Sequence, residues 1–289
     1  MKASAKLTGR PDRHRTPGEH PVAQGVQPVT YVSINEVGQH IVEGEIVDEG
    51  LVCISVNGAE LATFMCSPRD LEALALGFLY NEAIINGRED VRSVHVSKAD
   101  TCVDVWLKDT NFQPPERQIV TAGCGGGVTF DDLRERHDPL DSGRTATPGQ
   151  LAALMRQVHL GASLYQRARG IHTAALADGD DILLQVEDVG RHNCLDKLAG
   201  VALQQGLSTH DHILLSSGRI SSEMINKARR LSTPIVCSRT SPTSLSVELA
   251  RSWQICVVAY LRQQRMRVYT HEDRITGLAQ ERLDQREIA

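Results

Sequence analysis

One cysteine in the chain lies within a glycine-rich run, Gly123-Cys124-Gly125-Gly126-Gly127. Glycines give the backbone conformations that other residues rarely adopt, and they let a partner molecule approach the sulfur closely. Successive exposed backbone N–H groups also stabilise a thiolate, which is the nucleophilic form of cysteine. The run therefore favours nucleophilic chemistry at Cys124. A flexible loop that holds an incidental cysteine is the alternative interpretation of these residues alone.

The other six of the seven cysteines carry weaker signals. Five lie in apolar strand patterns, where cysteine usually acts as a small hydrophobic residue, and Cys194 lies at a helix start and is expected to be packed. No Cys-x-x-Cys motif occurs, which argues against a zinc ribbon or a dithiol redox motif. The odd number and loose spacing predict a reducing, cytoplasmic compartment rather than a disulfide scaffold. The five strand cysteines are Cys53, Cys66, Cys102, Cys237 and Cys256.

Three strand-to-helix junctions, at 187–193, 216–222 and 238–243, carry arginine beside small polar residues. Ligands of open α/β sheets bind beyond the carboxyl ends of the strands, and helix N-termini bind anions through their free N–H groups. Arginine adds a bidentate fork for phosphate. Together the junctions predict a crevice for an anionic ligand such as a nucleotide, with Arg191 and Arg219 as contacts. For any one junction, helix capping beside a surface arginine is the alternative.

A further group follows the last predicted strand. Its two arginines and its aromatic ring suit a phosphate and a stacked planar ring, although a charged strand end is a common alternative. The group consists of Tyr260, Leu261, Arg262, Gln263, Gln264 and Arg265. A zinc deaminase needs H-x-E and P-C-x-x-C, and His172-Thr173-Ala174 lacks the glutamate, so no metal site is expected. The chain also lacks a P-loop and a G-x-S-x-G elbow.

Local patterns predict the elements that position these residues. Asn57-Gly58 predicts a hairpin, Ser67 and Pro68 predict a helix start, and Thr147 with Gln150 predicts a capping box. A hairpin followed by repeated helix–strand units then predicts a largely parallel sheet covered by helices. The fold class is α/β, or α+β overall. The predicted parts are a disordered basic arm (1–28), an α+β domain with the Cys124 loop (29–145), an α/β domain (146–275) and a tail (276–289).

Composition excludes several classes of protein. The chain has 289 residues, a net charge of −5, 41% hydrophobic and 23% charged residues, which is typical of a soluble protein and not of a nucleic-acid coat or a fibre. The longest apolar run, Ile255 to Leu261, is far shorter than the roughly 20 residues that span a bilayer. We therefore expect neither nucleic acid nor membrane as a partner.

Several of these motifs resemble the formate dehydrogenase accessory sulfurtransferase family, FdhD. The likeness extends from about residue 30 to about residue 275, and the E-D-V-G-R-H-N run is long and specific. The matching segments are Gly123–Gly127, Glu187–Asn193, Asp196-Lys197, Ser217–Arg219, Glu223-Met224, Lys227-Ala228, Ser241–Thr243 and Val268–His271.

The resemblance implies a sulfur carrier. Such proteins take sulfur from a cysteine desulfurase and pass it to the molybdenum cofactor, Mo-bis molybdopterin guanine dinucleotide, which then enters formate dehydrogenase. It also implies a homodimer whose C-terminal domain has a cytidine-deaminase-like, three-layer fold without the zinc site. Cys124 matches the persulfide-carrying cysteine and Tyr260 to Arg265 the cofactor-contacting segment, while Arg191, His192 and Arg219 are expected to contact phosphate or guanine.

Two departures from the family pattern stand out. Gly127 replaces the second cysteine of a C-x-x-C that many members carry, and Gln263-Gln264 replaces the usual glycines. Persulfide transfer needs only one nucleophilic thiolate, so Cys124 alone suffices chemically. The alternative function is a molybdenum-cofactor chaperone that transfers no sulfur, and a small-molecule hydrolase or deaminase is a third option.

Overall fold

The structure is a computed structural model that describes residues 25–115, 119–120, 128–129 and 137–277. Within these residues it contains four β-sheets and six α-helices, which confirms a mixed α+β fold. Cys124 and its neighbouring glycines lie outside the described residues, and so do most of the predicted N-terminal arm and the C-terminal tail. None of the helices in the described part is long and apolar enough to cross a bilayer.

The first element is a two-stranded antiparallel hairpin of β1 (Val26–Asn35) and β2 (Gly38–Val47). It begins within the segment predicted to be a disordered arm, because Val26 pairs with Val47 and so belongs to the ladder. Arg167 donates two hydrogen bonds to the carboxylate of Glu45 on β2 and so links the hairpin to a later part of the chain.

The second sheet has four strands in the order β4-β3-β6-β5 and packs against one helix. Asn57 and Gly58 form the predicted turn, with φ of 51° and 87°, the left-handed values that a two-residue hairpin requires. The strands predicted over 91–96 and 102–107 are confirmed. The elements are β3 (Gly50–Val56), β4 (Ala59–Cys66), α1 (Leu71–Asn81), β5 (Val91–Val96) and β6 (Cys102–Leu107).

Two expectations for this region are wrong. Cys53 and Cys102 are not isolated small hydrophobic residues but form a disulfide, because β3 and β6 are parallel neighbours and bring the two residues opposite each other. Ser67 does not cap α1, which begins at Leu71 after Asp70. Its backbone N–H donates to Asp188 and its hydroxyl accepts from the Val189 N–H, so Ser67 is engaged elsewhere.

The third part of the chain forms a six-stranded sheet in the order β10-β9-β11-β12-β13-β14. Its strands are β9 (His172–Asp178), β10 (Asp181–Asp188), β11 (Ile213–Ser216), β12 (Ile235–Ser238), β13 (Cys256–Arg262) and β14 (Arg265–Thr270). Only the β11–β12 and β12–β13 pairings are parallel, so the sheet is mixed and not largely parallel as predicted. The antiparallel pairings come from the predicted β9–β10 hairpin, from the pairing of β9 with β11, and from β14, a strand that the sequence patterns did not predict.

In chain order, a short antiparallel pair of β7 (Ile119–Val120) and β8 (Val128–Thr129) comes after β6 and before the strands of the six-stranded sheet. Helices cover both faces of the large sheet. The helices are α2 (Pro148–Gly161), α3 (Ser163–Ala168), α4 (Arg191–Gln205), α5 (Ser222–Arg230) and α6 (Ser244–Ser252).

Two apolar layers bury the faces of this sheet. On one face Leu195, Met224 and Trp253 pack against residues such as Leu214, and on the other face the buried stripe of α2 packs against residues such as Leu215. Leu214 and Leu215 are consecutive, so the alternation of a β-strand places them on opposite faces. The result is a three-layer arrangement, and its likeness to cytidine deaminases stays a prediction.

Candidate functional site

A cleft of about 1430 Å³ opens between α2 and the β13–β14 hairpin. We call it the arginine cleft, because five arginines line it and none of its described lining residues is an aspartate or a glutamate. Such a surface attracts anions, since each guanidinium offers a fixed positive charge and a planar fork of N–H donors. The five are Arg156, Arg239, Arg262, Arg265 and Arg267.

Helix α2 forms one wall. The Thr147 hydroxyl accepts from the Gln150 N–H, and Gln150 completes the predicted capping box, with Pro148 in the first turn. Its buried stripe, which includes Leu151 and Leu154, packs on the sheet. The small residues of the helix that line the cleft, Gly149, Ala152 and Ala153, leave room beside the arginines.

The β13–β14 hairpin forms the other wall. The pairing shifts register between Ala259 and Arg262, and Tyr260 within this bulge has φ of 52°. Bulges redirect side chains and increase local twist, so this one changes the course of the strand at the cleft. Gln263 turns the chain with φ of 55°, a left-handed value that favours glycine. The backbone therefore has a glycine-like conformation at this position although the residue is glutamine.

The structure places the predicted site residues in two different regions. All six residues from Tyr260 to Arg265 line the arginine cleft, whereas Arg191, His192 and Arg219 do not line it. The sequence did not predict the four basic residues that line the cleft outside this segment. Arg239 lies in the third strand-to-helix junction, at 238–243, and Arg156 and His159 are three residues apart on α2, beside its apolar stripe. Arg267 lies on β14, which was not predicted. The four residues are Arg156, His159, Arg239 and Arg267.

His192 is buried among polar side chains at the start of α4. Its Nδ1 lies 3.2 Å from Glu223 Oε2, and its Nε2 lies 3.2 Å from Ser221 Oγ. Burial lowers the pKa of His192 to about 3, although Glu223 acts in the opposite direction. A neutral imidazole with its proton on Nδ1 satisfies both contacts, so the ring is engaged within the protein. Arg191 is also buried, whereas Arg219 is exposed.

A buried ion pair connects the two larger sheets. Lys197 Nζ lies 2.6 Å from Asp188 Oδ2 and donates to the Ser67 carbonyl, with no exposed surface on any of the three residues. Asp188 also accepts from the backbone N–H groups of Ser67 and Gly190 and from Asn193. Every charge is therefore compensated, which is the condition under which buried ion pairs persist.

A second buried cluster contains Asp196, which precedes Lys197 on α4, together with residues of α5 and α1. Lys227 Nζ donates to both oxygens of Asp196 at 2.9 and 2.7 Å and lies 3.3 Å from Glu223, while Asn81 of α1 donates to Asp196. Burial alone lowers the pKa of Lys227, but Asp196 and Glu223 outweigh it and raise that pKa. We call this cluster and the Lys197 ion pair the joint. Most of the family-like residues between 187 and 228 therefore hold the fold together.

The described cysteines are poorly suited to nucleophilic chemistry. Cys53 and Cys102 are paired, and the other four are buried. Burial raises the pKa of Cys66 and of Cys256 to about 12, and it raises the pKa of Cys194 and Cys237 as well. Because the thiolate is the reactive form, these four are inert near neutral pH. Among the residues described, no group of three or more His, Cys, Asp or Glu is arranged to hold a metal ion.

The comparisons with known proteins agree with one another. Residues 47–276 match the FdhD/NarQ family. The sulfur carrier protein FdhD of Staphylococcus aureus strain MRSA252 is 35% identical over 237 residues, covering 80% of this chain and 89% of that protein, and strain Newman gives the same values. A crystal structure from Desulfotalea psychrophila, described as a formate dehydrogenase accessory protein, superposes with a TM-score of 0.73 at 25% identity, covering 87% of this chain and 99% of that one. The chain belongs to the FdhD/NarQ family.

Proposed function

We propose that this chain is a sulfur carrier that serves formate dehydrogenase. Cys124 takes a persulfide sulfur from a cysteine desulfurase and passes it to the molybdenum cofactor, Mo-bis molybdopterin guanine dinucleotide, which the arginine cleft holds as cargo. The observation that carries the proposal is the cleft itself, whose five arginines have no carboxylate among the described lining residues. The names of the relatives supply the sulfur-carrier role.

The charge of the cleft fits the cargo. Each guanine dinucleotide arm contains a diphosphate, so the cargo presents several negative charges, and arginine forks bind phosphate oxygens in pairs. Tyr260, with the Arg267 guanidinium 4.6 Å from its ring centre, offers a planar surface for a base. The small residues of α2 leave space along that wall for an extended ligand.

The chemistry at Cys124 requires only one thiolate. It attacks the outer sulfur of the desulfurase persulfide, a new S–S bond forms, and the desulfurase cysteine leaves as a thiolate. The cargo then accepts the outer sulfur and supplies the two electrons of the new bond, and Cys124 leaves as a thiolate. Elimination supports this assignment, because the six described cysteines are paired or have raised pKa values.

The proposal predicts a persulfide confined to one residue. After incubation with a cysteine desulfurase and cysteine, intact mass without reductant is expected to show the gain of one sulfur in the wild type. The gain is expected to vanish in Cys124→Ala and to persist in the matched control Cys53→Ser/Cys102→Ser, which removes two other sulfurs. A gain retained by Cys124→Ala contradicts the assignment.

A cofactor chaperone without sulfur transfer is the second candidate, favoured by the fact that the described lining of the cleft contains no cysteine. Formate dehydrogenase activity in cells that lack the endogenous gene separates the two. A sulfur carrier requires Cys124, whereas a pure chaperone supports activity as Cys124→Ala. The desulfurase, formate dehydrogenase and a second copy of this chain are the proposed partners, in the cytoplasm.

A further inference from the structure

Two of the five cleft arginines are held in place by hydrogen bonds. Arg239 Nη1 lies 2.8 Å from His159 Nδ1, and Arg262 Nε donates to the Arg239 carbonyl at 3.1 Å. The residues come from three different elements: His159 from α2, Arg239 from the connection after β12, and Arg262 from the end of β13. The contacts therefore connect both walls of the cleft, α2 and the β13–β14 hairpin, to Arg239.

His159 is suited to accept the hydrogen bond. Its ring packs edge-on against Tyr165, with the ring centres 5.5 Å apart, and its carbonyl accepts from Gln166. Burial lowers the pKa of His159, and the positive charges of Arg239 and Arg169 lower it further. The imidazole is therefore neutral near pH 7, with its proton on Nε2 and the Nδ1 lone pair available to Arg239.

We propose that Arg239 and Arg262 form a pre-positioned clamp for a phosphate group of the ligand, and that His159 is the positioning residue that aims Arg239. The inference rests on the proposed function for the identity of the ligand, a diphosphate-containing guanine nucleotide. It goes beyond that function because it assigns a contact to Arg239 and a role to His159, which lie outside the Tyr260 to Arg265 segment.

The physical reason is preorganisation. A long, free side chain loses rotamer freedom when it closes on a ligand, and this loss subtracts from affinity. Arg239 has already lost part of that freedom to His159, so more of its charge-assisted hydrogen bond to phosphate appears as binding. An arginine of the same cleft that is more exposed, such as Arg156, is the natural comparison.

Affinity for GDP and for inorganic pyrophosphate, measured by calorimetry on the full chain, tests the clamp. Arg239→Ala is expected to weaken binding by about tenfold or more, which corresponds to the loss of one charge-assisted hydrogen bond. Arg156→Ala is expected to weaken binding by less, because Arg156 is more exposed and is not pre-positioned. His159→Leu, which removes the acceptor, is expected to weaken binding by roughly three- to tenfold. His159→Gln keeps an oxygen acceptor for Arg239 and is expected to restore binding to within about twofold of the wild type.

A double variant separates positioning from a general effect of His159 on the fold. If His159 acts through Arg239, then His159→Leu has no further effect in an Arg239→Ala background. Equal binding by the Leu and Gln variants, or a full effect of His159→Leu without Arg239, overturns the proposal. A wild-type chain that binds neither probe overturns it too. These binding measurements do not depend on persulfide transfer. If the Cys124 persulfide experiment fails, that result counts against the proposed sulfur-carrier function and not against the clamp.

Discussion

His192 stays neutral inside the protein because burial outweighs the attraction of Glu223 for its proton. Both ring nitrogens contact polar neighbours, and the ring lies at the start of α4, within reach of the Lys227 cluster of the joint. The unfolded chain exposes the same ring to water, where its pKa returns to about 6.5. The folded and unfolded states therefore bind protons differently over a wide range of pH.

This difference predicts acid sensitivity. Between about pH 6.5 and the folded pKa of about 3 the unfolded state binds more protons, so the free energy of unfolding falls as pH falls. From about pH 7 to about pH 4.5 the expected loss from this residue is on the order of 2–3 kcal/mol. Burial and Arg191 also lower the pKa of His172, which acts in the same direction.

Urea denaturation across this range measures the effect. His192→Gln removes the titration, so the decline with acid is expected to be shallower than in the wild type, whatever its stability at neutral pH. His210→Gln replaces an exposed histidine and is expected to keep the wild-type decline. Identical slopes for His192→Gln and the wild type contradict the prediction.

Helices α1 and α4 approach each other at two glycines. A Cβ at Gly77 would collide with the Asp196 carbonyl oxygen, and a Cβ at Gly200 would collide with the Ala73 carbonyl oxygen. In both cases the colliding atom belongs to the backbone of the other helix, so it cannot move without shifting that helix. The close approach brings Asn81 of α1 within hydrogen-bond distance of Asp196 on α4.

Gly200→Ala is therefore expected to destabilise the protein by more than about 4 kcal/mol, because the two backbones must separate. Gly149→Ala, also in a helix, is the matched control. Nothing lies within 4 Å of a Cβ added at Gly149, so alanine there is expected to leave the free energy of unfolding unchanged or to raise it by up to about 1 kcal/mol. Thermal or urea unfolding compares the two, and similar stabilities would show that the crossing is looser than the structure indicates.

Several elements follow from local sequence alone. Strands β5 and β6 match the predicted ranges, and the capping box at Thr147 sets the start of α2, because both depend on nearby residues. The start of α1 does not follow from local sequence, since Ser67 is engaged by Asp188, a residue far along the chain. The disulfide could not be predicted from local sequence for the same reason, because the pairing of β3 with β6 brings Cys53 to Cys102.

The candidate site shows the same division. The segment from Tyr260 to Arg265 is contiguous, so sequence reasoning finds it whole. Arg239 and His159 meet only when α2 packs on the sheet, and no local pattern distinguishes Arg239 from Arg191. Arg191 and His192 are polar residues beside a helix N-terminus, which is also the pattern of a buried structural cluster. Burial decides between these roles, and burial is a property of the folded chain.

At the scale of the whole molecule, the joint connects the two larger sheets. Lys197 and Asp188 lie in the C-terminal part, and both contact Ser67 of the N-terminal part. Arg230 and Tyr80 add reciprocal hydrogen bonds to each other's backbone carbonyls. Because the charges are fully buried, separating the two parts exposes them to water together, and we expect one cooperative unfolding transition.

Lys197→Met leaves Asp188 as a buried charge without its partner and is expected to cost about 3–5 kcal/mol. The two tryptophans, Trp106 and Trp253, report the two parts separately in Trp253→Phe and Trp106→Phe backgrounds. Both reporters are expected to shift together, whereas Lys98→Met, at an exposed lysine, is expected to shift neither. A loss of stability confined to one tryptophan would show that the joint does not couple the parts.

The Cys53–Cys102 disulfide also governs how the chain carries load. It spans a sequence separation of 49 residues, and α1 lies inside that covalent loop. When the molecule is pulled by its ends, tension passes across the sulfur bridge and bypasses the enclosed segment. Roughly 170 Å of contour length, at about 3.5 Å per residue, is withheld from extension until the bridge is reduced. An unfolding machine that pulls from either end therefore meets a mechanical stop at the edge of the segment that contains α1.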